Sequence, residues 1–200
     1  MTIPLSMRIF FAVDLPSSAR EKMSVFIEAL KKRSKTQMIR WSRPENLHIT
    51  LQFLPEIPSN DIPVLIEAVH AALSHHVNTS LVELGRLHLF PSVFHPRVIV
   101  LDVQPQEQLA ILSKEIGSAI QLSGHEIEKR TFKAHLTIAR IKNMRSVDLS
   151  FLSEFKAPPI EPFKLDKVVL FRSEPKPEGS HYTVLDEIGL QSTSKPTLKR

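Results

Sequence analysis

The sequence contains no cysteine. This excludes a disulfide-stapled scaffold, a cysteine-ligated metal or iron–sulfur site, and thiol catalysis. No stretch approaches the roughly 18 uninterrupted apolar residues of a membrane-spanning helix, and residues 1–11 lack the order of basic, apolar and small residues that marks a signal peptide. We therefore expect a cytoplasmic protein that makes no contact with a membrane.

The composition is that of a globular protein large enough to bury a core. The chain has 200 residues, of which 42% are apolar and 24% charged. It carries 26 Lys and Arg against 21 Asp and Glu, a formal net charge of +5. A basic excess suits an anionic partner such as nucleic acid, although the same charge is also ordinary for solubility.

Apolar runs and apolar positions spaced by three and four predict the elements of an α+β fold. The predicted strands are 8–15, 46–54, 81–90, 97–103, part of 132–141, 163–171 and 182–187. Helices are predicted at 19–33, 62–73 and 106–122, with a short helix or loop at 149–155. Residues 41–44 are interpreted as a turn-like approach, Pro55 and Pro58 as the end of the second strand, and 191–200 as a polar tail.

The order of these elements suggests an internal duplication. The segment RIFFAVDLP (8–16) resembles RVIVLDVQP (97–105), and each is followed by an amphipathic helix and then by a strand that holds His-x-Thr. We interpret 1–190 as a single bilobal domain built from two pseudo-repeats, roughly 8–90 and 97–190.

The two His-x-Thr motifs are the candidate catalytic residues. His48 and Thr50 share one face of a strand, as do His135 and Thr137, while the apolar residues between them face the other side. By the same alternation Gln52 is expected beside Thr50. If a pseudo-twofold brings the strands together, two imidazoles and two hydroxyls converge. Under the alternative interpretation, both histidines are chemically idle and bond only to their threonines.

This pattern resembles the two-histidine (2H) phosphoesterase superfamily, and more narrowly the bacterial and archaeal RNA 2′,3′-cyclic phosphodiesterases, also called 2′-5′ RNA ligases. Four segments carry the resemblance: 8–16, 46–54, 130–140 and 181–185. Two positions depart from the family pattern. Pro55 stands where the family usually has Gly, and Lys133-Ala134 where it often has His-Pro.

The resemblance implies a bilobal α+β fold with two antiparallel sheets facing a central cleft and helices outside. It also implies opening of a 2′,3′-cyclic phosphate to a 2′-phosphomonoester, with His48 as proton donor and His135 as proton acceptor. The residues alone suggest similar chemistry, since imidazole titrates at about pH 6.5 and serves as acid or base near neutrality. Thr50 and Thr137 would donate hydrogen bonds to the non-bridging phosphate oxygens.

Arginine and aromatic side chains supply further candidates. Arg130, five residues before His135, is a candidate phosphate ligand. Arg140 shares the alternation of Leu136 and Ile138, so we expect it to point away from the histidines. Three aromatic residues are interpreted either as base-stacking or as core, with core favoured: Phe10, Phe11 and Trp41. Lys31 to Lys35 form a basic stretch that either contacts an RNA backbone or is a solvated helix end.

No metal or other cofactor is predicted. His70, His75 and His76 cluster, but their spacing places no pair at i and i+4 on one helix face. The expected partner is RNA or a cyclic-phosphate nucleotide, and the chain is expected to act as a monomer. Two other functions stay open: an RNA-binding module without turnover, and 2′-5′ RNA ligation, which is the reverse reaction at the same site.

Overall fold

A computed structural model describes residues 4–34, 36–76, 80–143, 147–177 and 179–191. The strands are β1 (Ser6–Asp14), β2 (Ile39–Trp41), β3 (His48–Pro58), β4 (Leu81–Phe90), β5 (Val98–Gln104), β6 (His135–Ile141), β7 (Phe163–Lys164), β8 (Lys167–Glu174) and β9 (His181–Gly189). The α-helices are α1 (Ser17–Ser34), α2 (Ile62–Leu73) and α3 (Gln106–Leu122), and 3-10 turns occupy Pro44–Asn46, Ser59–Asp61 and Ser150–Glu154. Lys35 and all of the predicted tail beyond Gln191 lie outside the described residues.

The fold is mixed α/β, with one strongly curled antiparallel sheet. The strand order is β7-β4-β5-β6-β3-β1-β8-β9, with β2 paired to β6 beside this path. One residue pair, Ile49 and Leu136, joins β3 to β6 at the middle of the sheet. We call β3, β1, β8 and β9 the first half, and the remaining strands the second half. The expectation of two separate sheets is not confirmed, because this bridge makes the halves continuous.

The helices cover one face of the sheet. Ile9, Phe11 and Val13 of β1 lie in the main core with the apolar stripes of the helices. Phe10 and Ala12 lie on the opposite side, in a small cluster with residues of β8. We call that opposite side the open face. Alternation along β1 thus separates a packed core from a second surface.

Each half of the sheet combines strands from both predicted repeats. β4 pairs with β5, and β8 pairs with β1. The last strand of one segment is therefore added to the sheet of the other, which ties the two segments together across a long sequence separation.

Three sequence expectations need correction. β2 (Ile39–Trp41) was not predicted, since three residues are too few to show alternation. The run 163–171 contains two strands, because β7 pairs with β4 and β8 with β1. Pro55 does not end β3, which continues to Pro58. Since β3 meets β6 at only one pair, its second edge is unpaired there, and a proline removes no ladder hydrogen bond.

Candidate active site

The candidate motifs meet at the bridge between the halves. Ile49 pairs with Leu136, and each is flanked by a histidine and a threonine that project to the other side of the strand. The four predicted site residues are all half-buried: His48, Thr50, His135 and Thr137. The pairing of Ile49 with Leu136 sets the two motifs side by side, and the charge of His135 contributes to lowering the pKa of His48.

A β-bulge follows each motif. In β3, Ala12 pairs with Thr50 and Phe11 with Gln52, so Leu51 is the extra residue. In β6, the neighbours Val100 and Ile99 pair with Thr137 and Ala139, so Ile138 is the extra residue. A bulge interrupts the alternation of a strand and changes the direction of the side chains beyond it.

The first bulge moves Gln52 away from the site, which corrects the prediction that it shares a face with His48 and Thr50. Its Nε2 donates to the backbone oxygen of Ser113 on α3, at 2.9 Å, and to the hydroxyl of the same serine, at 3.1 Å. Phe53 lies on the open face instead, where it packs against the small cluster that contains Phe10 and Phe171.

The second bulge brings Arg140 to the site, although alternation predicted that it points away. Arg140 pairs with Val98 and is exposed, whereas Ile138 and Ala139 are both buried in the helix-side core. Its positive charge contributes to lowering the pKa of both His48 and His135. Arg140 could not be placed on the histidine face from the sequence, because a bulge is visible only once the strands are paired.

Each imidazole has one nitrogen bonded to the chain. Nδ1 of His48 lies 2.7 Å from the oxygen of Asn46, and Nδ1 of His135 lies 2.7 Å from the oxygen of Lys133. A carbonyl only accepts, so Nδ1 carries the proton in both rings. In the neutral form Nε2 is then the basic nitrogen, which can take up or deliver a proton.

His48 lies among aromatic rings. The Phe10 ring centroid is 4.5 Å from that of His48, and the Tyr182 ring meets it edge-on at 5.3 Å. Burial lowers the pKa of His48 from its ordinary 6.5 to about 4, against smaller opposing effects from the Asn46 hydrogen bond and the charge of Asp14. The free site therefore holds this imidazole neutral at pH 7.

His135 lies among charges. Its ring stacks on Phe90 at 4.7 Å, and Lys133 sits 5.9 Å from the centre of the same Phe90 ring. Burial is again the largest cause of a lowered pKa, and the charges of Arg130 and His88 lower the pKa of His135 further. Both rings thus favour the neutral state, for partly different reasons.

The two histidines have aspartates at equivalent register positions. Asp14 pairs with His48 across β1 and β3, and Asp102 pairs with His135 across β5 and β6. Arg20 binds the Asp14 carboxylate at 2.6 Å, whereas Nδ1 of His88 lies 3.4 Å from that of Asp102. The similar segments 8–16 and 97–105 already align these aspartates in the sequence. Tyr182 and Phe90 gave no signal, since only strand pairing brings them to the histidines.

Of the arginine, aromatic and lysine candidates named from the sequence, some lie beside the histidines and some do not. The Arg130 side chain is 65% exposed and ion-paired to Glu128 at 3.0 Å, beside a surface cavity of about 790 Å³ between the end of α3 and the following loop. Phe11 is fully buried on the helix side and Trp41 packs against that core, so both are core residues, whereas Phe10 contacts His48. Lys31 pairs with Glu28 at 3.2 Å.

The residues that the structure describes hold neither a metal-ligand cluster nor a membrane-spanning helix. Among them no three His, Asp or Glu side chains are placed to hold a metal ion. Of the helices in the described ranges, none combines the length and apolar character needed to cross a bilayer.

Residues 16–177 match the family model of the 2′-5′ RNA ligase superfamily. The chain is 31% identical to the RNA 2′,3′-cyclic phosphodiesterase of Thermus thermophilus, covering 92% of this chain and 91% of the relative. It is 29% identical to the protein of the same name from Thermotoga maritima, covering 90% and 94%.

Solved structures share the fold. A crystal structure of a Thermus thermophilus protein superposes with a TM-score of 0.71 at 29% identity, covering 94% of this chain and 100% of the other. LigT of E. coli in apo form gives 0.68 at 24% identity, covering 94% and 99%. The second likeness concerns the fold alone.

Proposed function

The chain belongs to the 2′-5′ RNA ligase superfamily, and on that premise we propose that it hydrolyses RNA 2′,3′-cyclic phosphates to 2′-phosphomonoesters without a metal ion. Relatives at about 30% identity bear the name RNA 2′,3′-cyclic phosphodiesterase. The observation that carries the proposal is the placement of two Nδ1-anchored imidazoles and two threonines around one bridge, Ile49 with Leu136.

The reaction needs one base and one acid on opposite sides of phosphorus. In the proposed assignment, Nε2 of His135 takes a proton from water while the water oxygen forms a bond to phosphorus. The bond from phosphorus to the ribose 3′ oxygen breaks, and His48 gives its Nε2 proton to that oxygen. The products are a 2′-phosphate and a 3′-hydroxyl, and the two imidazoles have exchanged protonation states.

Hydroxyl and guanidinium groups would stabilise the phosphate. Thr50 and Thr137 lie on the same face as the imidazoles and would donate to its non-bridging oxygens. Arg140 adds a positive charge whose influence reaches both rings. Arg130 is a second candidate, provided that the phosphate replaces Glu128 as its partner.

The acid role of His48 requires a change on substrate binding. Burial holds the pKa of His48 at about 4 in the free protein, so the ring is neutral at pH 7. A bound phosphodiester brings a negative charge beside it, which favours the imidazolium and raises that pKa. Binding and protonation are therefore coupled in this proposal.

The wider architecture belongs to the same proposal. We take 1–190 as one bilobal domain of two pseudo-repeats, with the open faces of the two halves as the walls of the cleft that holds the substrate. The protein would act as a monomer in the cytoplasm, where the lack of cysteine suits a reducing environment.

Hydrolysis of a nucleoside 2′,3′-cyclic phosphate in the presence of a chelator tests the function. His48→Ala and His135→Ala should each lose activity by roughly a hundredfold or more, while His75→Ala, an exposed histidine at the end of α2, should not. Substrate binding without turnover in the unaltered protein would support an RNA-binding module instead. Activity that returns only with added metal would overturn the metal-free mechanism.

The family model also favours examining 2′-5′ ligation, which is the same ring opening with another nucleophile. At the same site an RNA 5′-hydroxyl would replace water and form a 2′-5′ linkage. Incubating cyclic-ended and 5′-hydroxyl RNAs, and looking for products resistant to 3′-5′-specific nucleases, measures this. Hydrolysis should dominate wherever water reaches the phosphate.

A further inference from the structure

Two arginines face each other directly across β2 and β6. Arg40 pairs with Arg140, and residues paired in this way project to the same side of a sheet. Ile39 and Trp41, the neighbours of Arg40, pack on the helix-side core. Arg40 therefore lies on the open face, in a row that runs from Val98 through Arg140 to β2.

Neither guanidinium has a partner in the described parts of the chain. Both side chains are exposed, and no ion pair or hydrogen bond joins either of them to another described residue. Five other arginines of the described ranges are ion-paired to a carboxylate, among them Arg33 to Glu154 at 2.6 Å. Like charges directly opposite on neighbouring strands destabilise a sheet, so this pair has a cost that phosphate groups bound to the two side chains would reduce.

The two arginines differ in their distance from the chemistry. Arg140 lies on the same strand as His135, five residues beyond it and on the same face, and its charge acts on both imidazoles, so we take it as the ligand of the reacting phosphate. Arg40 stands one strand further along the row, and neighbouring strands are about 4.8 Å apart. A second phosphate, one nucleotide away on the same RNA, would suit that offset.

We propose that Arg40, opposite Arg140 on the open face, binds the phosphate on the 5′ side of the terminal nucleotide whose 3′ end carries the cyclic phosphate. This inference rests on the proposed hydrolase function and specifies its substrate. Arg140 would bind the reacting phosphate and Arg40 the preceding one. The enzyme would therefore favour RNA ends over nucleoside 2′,3′-cyclic phosphates that lack a 5′-phosphate. A guanidinium suits a phosphodiester or a 5′-monophosphate equally.

Three substrates separate these possibilities: a nucleoside 2′,3′-cyclic phosphate, the same compound with a 5′-phosphate, and a dinucleotide with a cyclic end. We expect the unaltered protein to prefer the two phosphate-bearing substrates in kcat/KM, mainly through KM. Arg40→Gln should reduce that preference about tenfold. For the dinucleotide, the logarithm of kcat/KM should fall less steeply with the logarithm of the salt concentration in this variant. The slope should differ by about 0.7, the value for one lost phosphate contact.

Two controls identify the cause. Lys114→Gln removes one positive charge from an exposed position on α3 and should leave the preference intact. A dinucleotide with a neutral methylphosphonate linkage should lower kcat/KM in the unaltered protein but change it little in Arg40→Gln. Preference for the 5′-monophosphate but not the dinucleotide would limit the site to mononucleotides and refute binding of an RNA end.

The inference and the proposed function fail in different ways. If no cyclic phosphate is hydrolysed, the proposed function is wrong. If all three substrates are hydrolysed and Arg40→Gln keeps the preference and the salt slope of the unaltered protein, the assignment of Arg40 is wrong. Arg40→Lys, which keeps the charge, should retain the salt slope, and a melting curve for each variant verifies that it is folded.

Discussion

The two halves of the sheet place equivalent histidines in different surroundings. His48 lies against Phe10 and Tyr182, and its pKa is lowered to about 4, chiefly by burial. His135 stacks on one ring, that of Phe90, and has arginine and histidine charges near it. The backbone anchor at Nδ1 is the same in both. Two copies of one motif can thus hold two rings alike at Nδ1 while the surroundings of the rings differ in aromatic packing and charge.

The largest effect is expected when His48 is removed, and it should depend on the leaving group of the substrate. His48→Ala should lose roughly a thousandfold on a cyclic phosphate, because the departing ribose oxygen then lacks its acid. On a diester with a nitrophenol leaving group, which departs without protonation, the loss should be roughly ten times smaller or less. Steady-state rates on both substrates measure this, with His135→Ala as the matched variant. Equal losses of His48→Ala on both would contradict the acid role.

A substitution of Arg140 tests the charged surroundings of His135 in the second half of the sheet. Arg140→Gln should lower kcat/KM roughly a hundredfold, since a guanidinium at the phosphate stabilises charge that develops in the transition state. It should also raise the free energy of unfolding by a few tenths of a kcal/mol, because the like-charged pair with Arg40 is removed. Kinetics and urea unfolding give the two readouts. Reduced activity together with reduced stability would indicate a structural role instead.

The lowered pKa of the half-buried His48 imidazole predicts a pH-dependent stability. Its pKa is about 4 folded and 6.5 unfolded, so between these values the unfolded chain binds the extra proton. Stability from this group is complete above pH 6.5 and is lost as the pH falls toward 4. The shift corresponds to at most about 3 kcal/mol, and we expect about 1 to 2 kcal/mol after water penetration.

His48→Gln isolates this contribution. The unaltered protein should lose more unfolding free energy than the variant between pH 7 and pH 4.5, measured by urea denaturation. Parallel losses in the two proteins would show that His48 is not the group responsible. The other histidines, including His135, contribute equally to both and cancel in the difference.

The smallest effect concerns Tyr182, whose ring covers His48. Tyr182→Ser should admit water and raise the pKa of His48, because the ring is then less desolvated. Since both imidazole pKa values lie below 6.5, the kcat/KM profile of the unaltered protein should be bell-shaped with both limbs below that pH. In the variant the limb that His48 sets should move to higher pH. At a fixed pH on that limb, kcat/KM should change about threefold.

Several features were predictable because they are local. Apolar runs and spacing located β1, β3 and the three helices, and the two His-x-Thr motifs lie on neighbouring strands. The features that failed were those set by pairing between distant segments. β2 is too short to show a pattern, and the run 163–171 divides because its two parts pair with different strands.

The sequence by itself determined two histidine–threonine motifs on strands whose apolar side chains must be buried, and so it determined which face the imidazoles occupy. Only the tertiary structure decided what surrounds them. The bulges at Leu51 and Ile138 exist because β3 and β6 each carry one more residue than the partner strand at that point. Register between distant segments, which no local periodicity records, turned Gln52 toward α3, brought Arg140 to the open face and set it opposite Arg40.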